Sequence, residues 1–199
     1  MPGLSHFRRG VLIAATVLTA ACSSQAQTPI TKPTANAGGG SGVRLVGSID
    51  TTGDFAVSGS FAVRPDMQVG SLPTPAPASA TCTQYAKGLG DGHSFVSPEV
   101  HTSGNPNVYF RATISPGFSG PATYSSNTAP GLNGVAIVSI EQGQGPSLQV
   151  YNTRHGGSTT LTVAADGSGT LTFTRWGTDE VRQGHIAGYL WGTIRWTCQ

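Results

Sequence analysis

From Val43 onward, apolar and polar side chains alternate with a period of two residues along most of the chain. Successive side chains of a β-strand point to opposite faces of a sheet, so this period is typical of strands that bury one face. The apolar members of the clearest runs are Phe55, Val57, Phe61 and Val63; Val108, Phe110, Ala112 and Ile114; and Leu148 and Val150. No segment combines a helical period with recognisable caps, so the pattern predicts an all-β domain.

Three further segments extend this prediction. The run from Val135 to Ile140 is apolar on both parities, which indicates a central strand. The segment Thr159–Trp176 predicts a β-hairpin, because Asp166–Gly169 supplies the positive-φ residues that tight turns need. The last strand is predicted at His185–Cys198, with Ile186, Leu190, Ile194 and Trp196 on its core face. About eight or nine short strands in one domain predict an antiparallel β-sandwich or barrel.

The composition supports an extracellular β-protein. Charged residues make up only 10% of the chain, against roughly 25% in a typical globular protein, and the 28 glycines suit many tight turns. The formal charge of +2 comes from Arg8 and Arg9, and without them nine basic residues face nine acidic ones. A neutral domain without basic clusters argues against nucleic acid as a partner.

Residues 1–21 have the three parts of an export signal. Arg8 and Arg9 form a positive start, an apolar run spans Val11 to Leu18, and small residues precede Cys22. The apolar stretch is shorter than the roughly 20 residues that a membrane-spanning helix needs. We therefore predict a cleaved signal peptide, exported by the general secretory or the twin-arginine route.

The segment Leu18-Thr19-Ala20-Ala21-Cys22 resembles a bacterial lipobox, with Thr19 where leucine is usual. In that family the cysteine thiol is acylated, with palmitate-type chains that anchor the protein to the cell membrane on its extracytoplasmic side. The alternative is an ordinary cleavage site ending at Ser24-Gln25-Ala26, which would release a soluble protein. The odd number of cysteines, three, favours lipidation of Cys22.

With Cys22 lipidated, Cys82 and Cys198 remain as a disulfide pair. Cys82 is predicted near the start of a strand and Cys198 on the core parity of the last strand. Their bridge would close a loop of 116 residues, which loop-entropy models value at nearly 5 kcal/mol.

Two segments are predicted to lack regular structure. Cys22 and the Gly/Ser/Thr-rich residues to Gly42 form a lipidated, disordered tether. The β-domain then covers residues 43–199, and within it Pro65–Ala80 is predicted as a proline-rich surface loop.

In layout, the chain resembles the small all-β surface lipoprotein antigens of mycobacteria and related actinobacteria. The likeness lies in the lipobox cysteine, the tether, the early Cys82 and the terminal Trp196-Thr197-Cys198. It implies a surface-exposed lipoprotein without an established catalytic role.

A metal site is considered at His93 and His101, which are eight residues apart on a Gly/Pro-rich loop near Asp91 and Glu99. This spacing resembles the metal-binding loop of copper/zinc superoxide dismutases, but the His-x-His pair that copper needs is missing. His155 and His185 are scattered. We expect no metal and no cofactor, and a metal-dependent envelope enzyme using the His93–His101 loop is kept as the alternative function.

No catalytic residues are predicted. The adjacent carboxylates Asp179 and Glu180 lie on one predicted turn, whereas glycoside hydrolysis needs two carboxylates about 5 to 10 Å apart across a cleft. The chain also has no Gly-x-Ser-x-Gly nucleophile motif.

An exposed aromatic platform is the predicted ligand site. Tyr189, Trp191 and Arg195 share the outward parity of the last strand, and Trp176 continues the outward row of the hairpin. Flat aromatic faces suit stacking on sugar rings or apolar ligands. The alternative is that these rings stabilise the sheet or lie beneath the Pro65–Ala80 loop. We expect a non-catalytic module that binds an envelope glycan, lipid or protein, or a structural or antigenic module without a small-molecule site.

Overall fold

The computed structural model describes residues 42–69, 72–90, 92–102, 107–142, 145–178 and 188–199. The predicted signal peptide, Cys22 and all of the predicted tether except Gly42 lie outside these residues, as do Asp91, Asp179, Glu180 and His185.

The described residues form thirteen β-strands, one short α-helix and one 3₁₀ turn. Their bounds are β1 Leu45–Gly53, β2 Ser58–Val63, β3 Asp66–Val69, β4 Leu72–Pro75, α1 Cys82–Ala86, β5 Phe95–Val96, β6 Val100–His101, β7 Asn107–Ile114, β8 Thr123–Ser125, β9 Leu132–Gln142, β10 Gly145–Asn152, the 3₁₀ turn Thr153–His155, β11 Ser158–Val163, β12 Gly169–Gly177 and β13 Tyr189–Cys198.

Eleven of these strands form one antiparallel sheet that curls into a half-barrel. We call the strands β2-β1-β13-β12-β11-β8 the front half, and β10-β9-β7 with β5 and β6 the back half. The halves meet where Asn152 at the end of β10 pairs with Gly177 at the end of β12. This architecture confirms the predicted antiparallel all-β fold. The predicted count of about eight or nine strands is too low, because five of the thirteen strands have only two to four residues, too few to show a clear alternation.

The core lies between the inner faces of the two halves. Phe110 of the back half stacks with Phe173 of the front half, with ring centroids 6.0 Å apart. The alternating apolar residues of β7 are fully buried, and Leu190, Ile194 and Trp196 line the inner face of β13. The inward parities predicted for β7 and for these three residues of β13 are confirmed, and Ile186, predicted on the same face, lies outside the described residues. The run Val135–Ile140 is also confirmed as central, because β9 pairs with β7 on one side and β10 on the other.

The predicted parity of β10 is wrong. Leu148 and Val150 are 64% and 37% exposed, whereas Tyr151 is fully buried. The register with β9 explains this, because Tyr151 pairs with the inward-facing Ala136. The tyrosine buries a larger ring and keeps its hydroxyl at the polar rim, where it contacts Asp54 Oδ2 at 2.8 Å.

Two segments have more regular structure than predicted. The Pro65–Ala80 segment contains the hairpin of β3 and β4, so it is not a simple loop. Cys82 begins the helix α1 rather than a strand. Thr81 caps this helix through a capping box, in which its side chain accepts from the Gln84 amide and the Gln84 side chain accepts from the Thr81 amide.

The predicted disulfide between Cys82 and Cys198 is confirmed, with the two Cα atoms 5.7 Å apart. It joins α1 to the end of β13, beside the turn at residues 164–168 of the hairpin. Gly167 adopts a φ of +81° in this turn, a conformation that favours glycine, and its carbonyl accepts from Trp196 Nε1 at 2.9 Å. The bridge thus fixes the C-terminal strand at one end of the front half.

Candidate functional site

A β-bulge in β12 changes the predicted platform. Phe173 pairs with Gly192, but the next pair joins Trp176 to Leu190, so Thr174 and Arg175 together face the single residue Trp191. The extra residue reverses the parity of the strand beyond it. The placement of Trp176 on the outward row is therefore wrong.

Trp176 belongs to the core. Its side chain is fully buried, and its ring stacks on Phe173 with centroids 4.2 Å apart. The indole Nε1 donates to Thr159 Oγ1 at 2.8 Å. On β9, a Cβ at Gly134 would overlap the indole ring, so only glycine fits there. Trp176 therefore stabilises the sheet and cannot contact a ligand at the surface.

Tyr189, Trp191 and Arg175 form an outward-facing group that we call the aromatic corner. The rings of Tyr189 and Trp191 lie 5.9 Å apart at 59°, and the Arg175 guanidinium sits over the Tyr189 ring at 4.7 Å. Arg175 has a φ of +53° and is the one non-glycine residue in the described ranges with a positive φ. This conformation is rare for a residue with a side chain. It occurs at the bulge, where Arg175 lies on the outer face beside the Tyr189 ring.

The outer face of the front half carries two rows of hydroxyl side chains, which we call the hydroxyl face. Each row crosses six paired strands. The first row is Ser58, Asp50, Thr193, Thr172, Thr160 and Ser125, and the second is Ser60, Ser48, Arg195, Thr170, Thr162 and Thr123. None of the twelve is buried. Arg195 of the predicted platform therefore lies in the second row, about 13 Å along β13 from Trp191.

The aromatic corner continues the hydroxyl face at one end. On β13, Trp191 is followed at outward positions by Thr193 and Arg195, and Thr52 of β1 pairs directly with Trp191. Aromatic, hydroxyl and guanidinium groups thus share one exposed surface. Such a surface can stack on a ring and hydrogen-bond polar substituents around it, because a hydroxyl both donates and accepts.

The predicted histidine loop does not form one site. Phe95, two residues after His93, pairs with Ile114 of β7, whereas His101 pairs with Tyr109. These pairs are five residues apart on β7, about 17 Å. Within the described part of the chain, no group of three or more His, Cys, Asp or Glu side chains is placed to hold a metal ion.

His101 instead belongs to a group on the back half that we call the Glu99 cluster, with Asp66, Glu99, Tyr109 and Arg111. His101 Nε2 lies 2.7 Å from Glu99 Oε1, and the Tyr109 hydroxyl donates to Glu99 Oε2 at 3.0 Å. The Arg111 guanidinium approaches the same oxygen at 3.7 Å. His101, Tyr109 and Arg111 thus supply the hydrogen-bond and charge partners of the Glu99 carboxylate.

The two carboxyl groups of the Glu99 cluster have opposite pKa shifts. The hydrogen bond from His101 lowers the pKa of Glu99, and Tyr109 and Arg111 act in the same direction. Burial raises the pKa of Asp66, and the neighbouring negative charge of Glu99 raises it further. Asp66 starts β3, so this cluster joins the β3–β4 hairpin to the back half.

Several predicted positions fall elsewhere. Cys22, Asp91, Asp179, Glu180 and His185 lie outside the described residues, and His155 ends the 3₁₀ turn.

Two shallow clefts, of about 280 and 210 Å³, lie at the surface beside α1 and beside the start of β9. In the ranges that the structure describes, no helix is long and apolar enough to cross a membrane.

Sequence reasoning missed Arg175 and the extent of the hydroxyl face. Arg175 carries no local signal, because a bulge depends on the partner strand. The alternating Thr170, Thr172 and Thr174 do predict a row of polar side chains on the outer face of the hairpin. Only the strand order shows that polar residues of five other strands extend this surface.

No protein-family model, no curated protein and no solved structure matches this chain.

Proposed function

We propose that this chain is a lipid-anchored protein of the cell envelope whose β-domain binds an envelope glycan without catalysing a reaction. The aromatic corner carries the proposal. Trp191 and Tyr189 are half-buried on an outward surface, and the hydroxyl-bearing residues Thr52 and Thr193 neighbour Trp191 on it. This combination suits a sugar, which presents an apolar ring face for stacking and hydroxyl groups at its edge.

The disulfide supports the cellular location. Cys82 and Cys198 are bonded to each other, and structural disulfides persist in oxidising compartments outside the cytoplasm. This pairing leaves Cys22 as the cysteine for the acyl chains. Acylation with more than one chain gives a durable anchor.

The position of the aromatic corner supports recognition away from the membrane. The tether reaches the sheet at Leu45, which pairs with Cys198, whereas Trp191 pairs with Thr52. The seven-residue difference along β1 corresponds to about 23 Å. The aromatic corner therefore lies at the end of the front half that is remote from the point of attachment.

Sedimentation with purified envelope glycan tests this function. Full-length protein extracted in detergent is mixed with insoluble envelope material that has been delipidated and treated with protease. Trp191→Ala should lower the retained fraction about fivefold, because an aromatic stacking contact contributes about 1 kcal/mol. Leu148→Ala is the matched control, because it removes an exposed apolar side chain from the back half.

Two results would overturn the proposal. One is equal retention of the Trp191→Ala variant and the wild-type protein. The other is failure of the wild-type protein to sediment with the glycan while it binds lipid vesicles or an envelope protein.

A further inference from the structure

The hydroxyl face is larger than a single sugar needs. Its rows cross six strands, and neighbouring strands lie about 4.8 Å apart, so each row extends about 24 Å. Along each strand, the two rows are two residues apart, or about 7 Å. The aromatic corner lies beside the middle of the rows, at β13 and β12, so the hydroxyl face continues past it on both sides.

The chemistry of the hydroxyl face is uniform. Ten of its twelve side chains are serine or threonine, and the two exceptions, Asp50 and Arg195, carry opposite charges. An anionic polymer would call for clustered arginines, which form bidentate bonds with carboxylate and phosphate. A neutral surface of groups that donate and accept instead matches a neutral ligand with many hydroxyl groups.

Sheet stability offers a competing explanation for the threonines. Threonine is common in strands, and cross-strand threonine pairs stabilise sheets. The Thr123 and Thr162 hydroxyls do contact each other at 3.0 Å. On the first row, Thr160 and Thr172 also pair directly across the strands, and both are exposed, so position alone does not decide between the two explanations. Substitution by valine separates the two explanations, because valine keeps the β-branched shape and removes only the hydroxyl function.

We propose that the hydroxyl face extends the aromatic corner into a binding surface for a long, uncharged polysaccharide chain that lies across the strands. This inference rests on the proposed function. One sugar ring of the bound chain stacks at Trp191 on β13, and successive sugar residues hydrogen-bond the rows from Thr193 of β13 over Thr172 of β12 to Thr160 of β11. Each hydrogen bond is weak on its own, so affinity depends on the number made at once.

Fragment length provides the test. The glycan used for sedimentation is partially hydrolysed, the fragments are separated by size, and their affinity for full-length protein is measured by calorimetry. For wild-type protein, affinity should rise about tenfold or more from the shortest fragments to the longest, because the added contacts act within one complex. The triple variant Thr160→Val, Thr172→Val, Thr193→Val should lose this rise and keep the affinity for short fragments.

Thr113→Val is the matched control, since Thr113 is a half-exposed strand threonine on the outer face of β7 in the back half. Equal affinity for short and long fragments, or a triple variant that behaves as wild type, would overturn the inference and leave the proposed function standing. Bound fragments rich in uronic acid or phosphate would also overturn it. Failure of wild-type protein to bind any fragment would overturn both.

Discussion

At the residue scale, Trp176 and Trp191 show how one bulge separates two similar side chains. Trp176 is fully buried against Phe173, whereas Trp191 stays on the outer face opposite Thr52. The difference arises at Arg175, whose positive φ accommodates the extra residue. Whether a tryptophan lies in the core or on the outer face therefore follows here from local backbone geometry rather than from residue type.

Replacing each tryptophan with phenylalanine should affect stability differently. Trp176→Phe removes the donor to Thr159, which is fully buried, and leaves space in the core. We expect a loss of about 1–3 kcal/mol in the free energy of unfolding. Trp191→Phe should change it by less than about 0.5 kcal/mol. Urea denaturation of the full-length chain measures both, and equal losses would contradict the assigned positions.

The two carboxyl groups of the Glu99 cluster should respond to pH in opposite directions. The lowered pKa of Glu99 means that its contribution to stability is present above the ordinary value of 4.5 and is lost as the pH falls through the folded-state value. The raised pKa of Asp66 favours its protonated form. Its contribution is therefore present below 3.8 and is lost as the pH rises through the raised value.

Amide substitutions test these signs. At pH 7, Glu99→Gln should destabilise the protein by about 1 kcal/mol, because the ion-paired and hydrogen-bonded carboxylate is lost. Asp66→Asn should stabilise it slightly, because one of two neighbouring negative charges is removed. Both differences should shrink below pH 4. Thermal denaturation across pH 3 to 7 measures them, and shifts of the same sign at pH 7 would rule out the described arrangement.

At the scale of elements, the helix α1 depends on its first turn. Thr81 and Gln84 cap each other, and Cys82 between them carries the disulfide. Loss of the cap therefore affects both the helix and the attachment of the bridge. The motif Thr81-Cys82-Thr83-Gln84 has the spacing of a capping box, so the sequence does contain the signal for this helix.

Thr81→Ala should lower the free energy of unfolding by about 1 kcal/mol, the usual effect of removing an N-cap side chain. Thr83→Ala is the matched control, because Thr83 is an exposed residue of the same helix and does not cap it. The measurement is chemical denaturation with the disulfide intact. A Thr83→Ala effect as large as that of Thr81→Ala would show that the cap is not responsible.

The alternation of apolar and polar residues reliably predicts a strand and its inner face where one face of the strand is clearly apolar. The alternation in β7 is sufficient, since its four apolar side chains all face the core. The alternation predicts the wrong inner face for β10. Its partner strand β9 is apolar on both faces, so the pattern of β9 does not indicate which face of β10 is turned to the core. The alternation also fails at Trp176, where the bulge depends on pairing with β13. The half of the site on β13 was therefore predictable, and Arg175 was not.

At the scale of the whole molecule, the proposed point of attachment and the aromatic corner lie at opposite ends of the front half. The disulfide and the start of β1 lie at one end, and the aromatic corner lies at the other. The Cys82–Cys198 bridge closes a loop of 116 residues, so it restricts the unfolded chain strongly. If the proposed lipid anchor is present, a domain tied in this way would hold its aromatic corner at the end remote from the membrane.

Substitution of Cys22 tests the attachment. In wild-type protein extracted from membranes, intact-mass measurement should show the added mass of acyl chains at Cys22. The polypeptide should also have two hydrogens fewer than its reduced form, because Cys82 and Cys198 are bonded. Cys22→Ala should abolish the acyl mass and release the protein from the membrane fraction, since acyl burial, about 0.8 kcal/mol per methylene, supplies the anchor. Ser23→Ala is the control and should stay in the membrane. A wild-type polypeptide without acyl mass would disprove lipidation, and a soluble variant that still sediments with glycan would show that anchoring and recognition are separate.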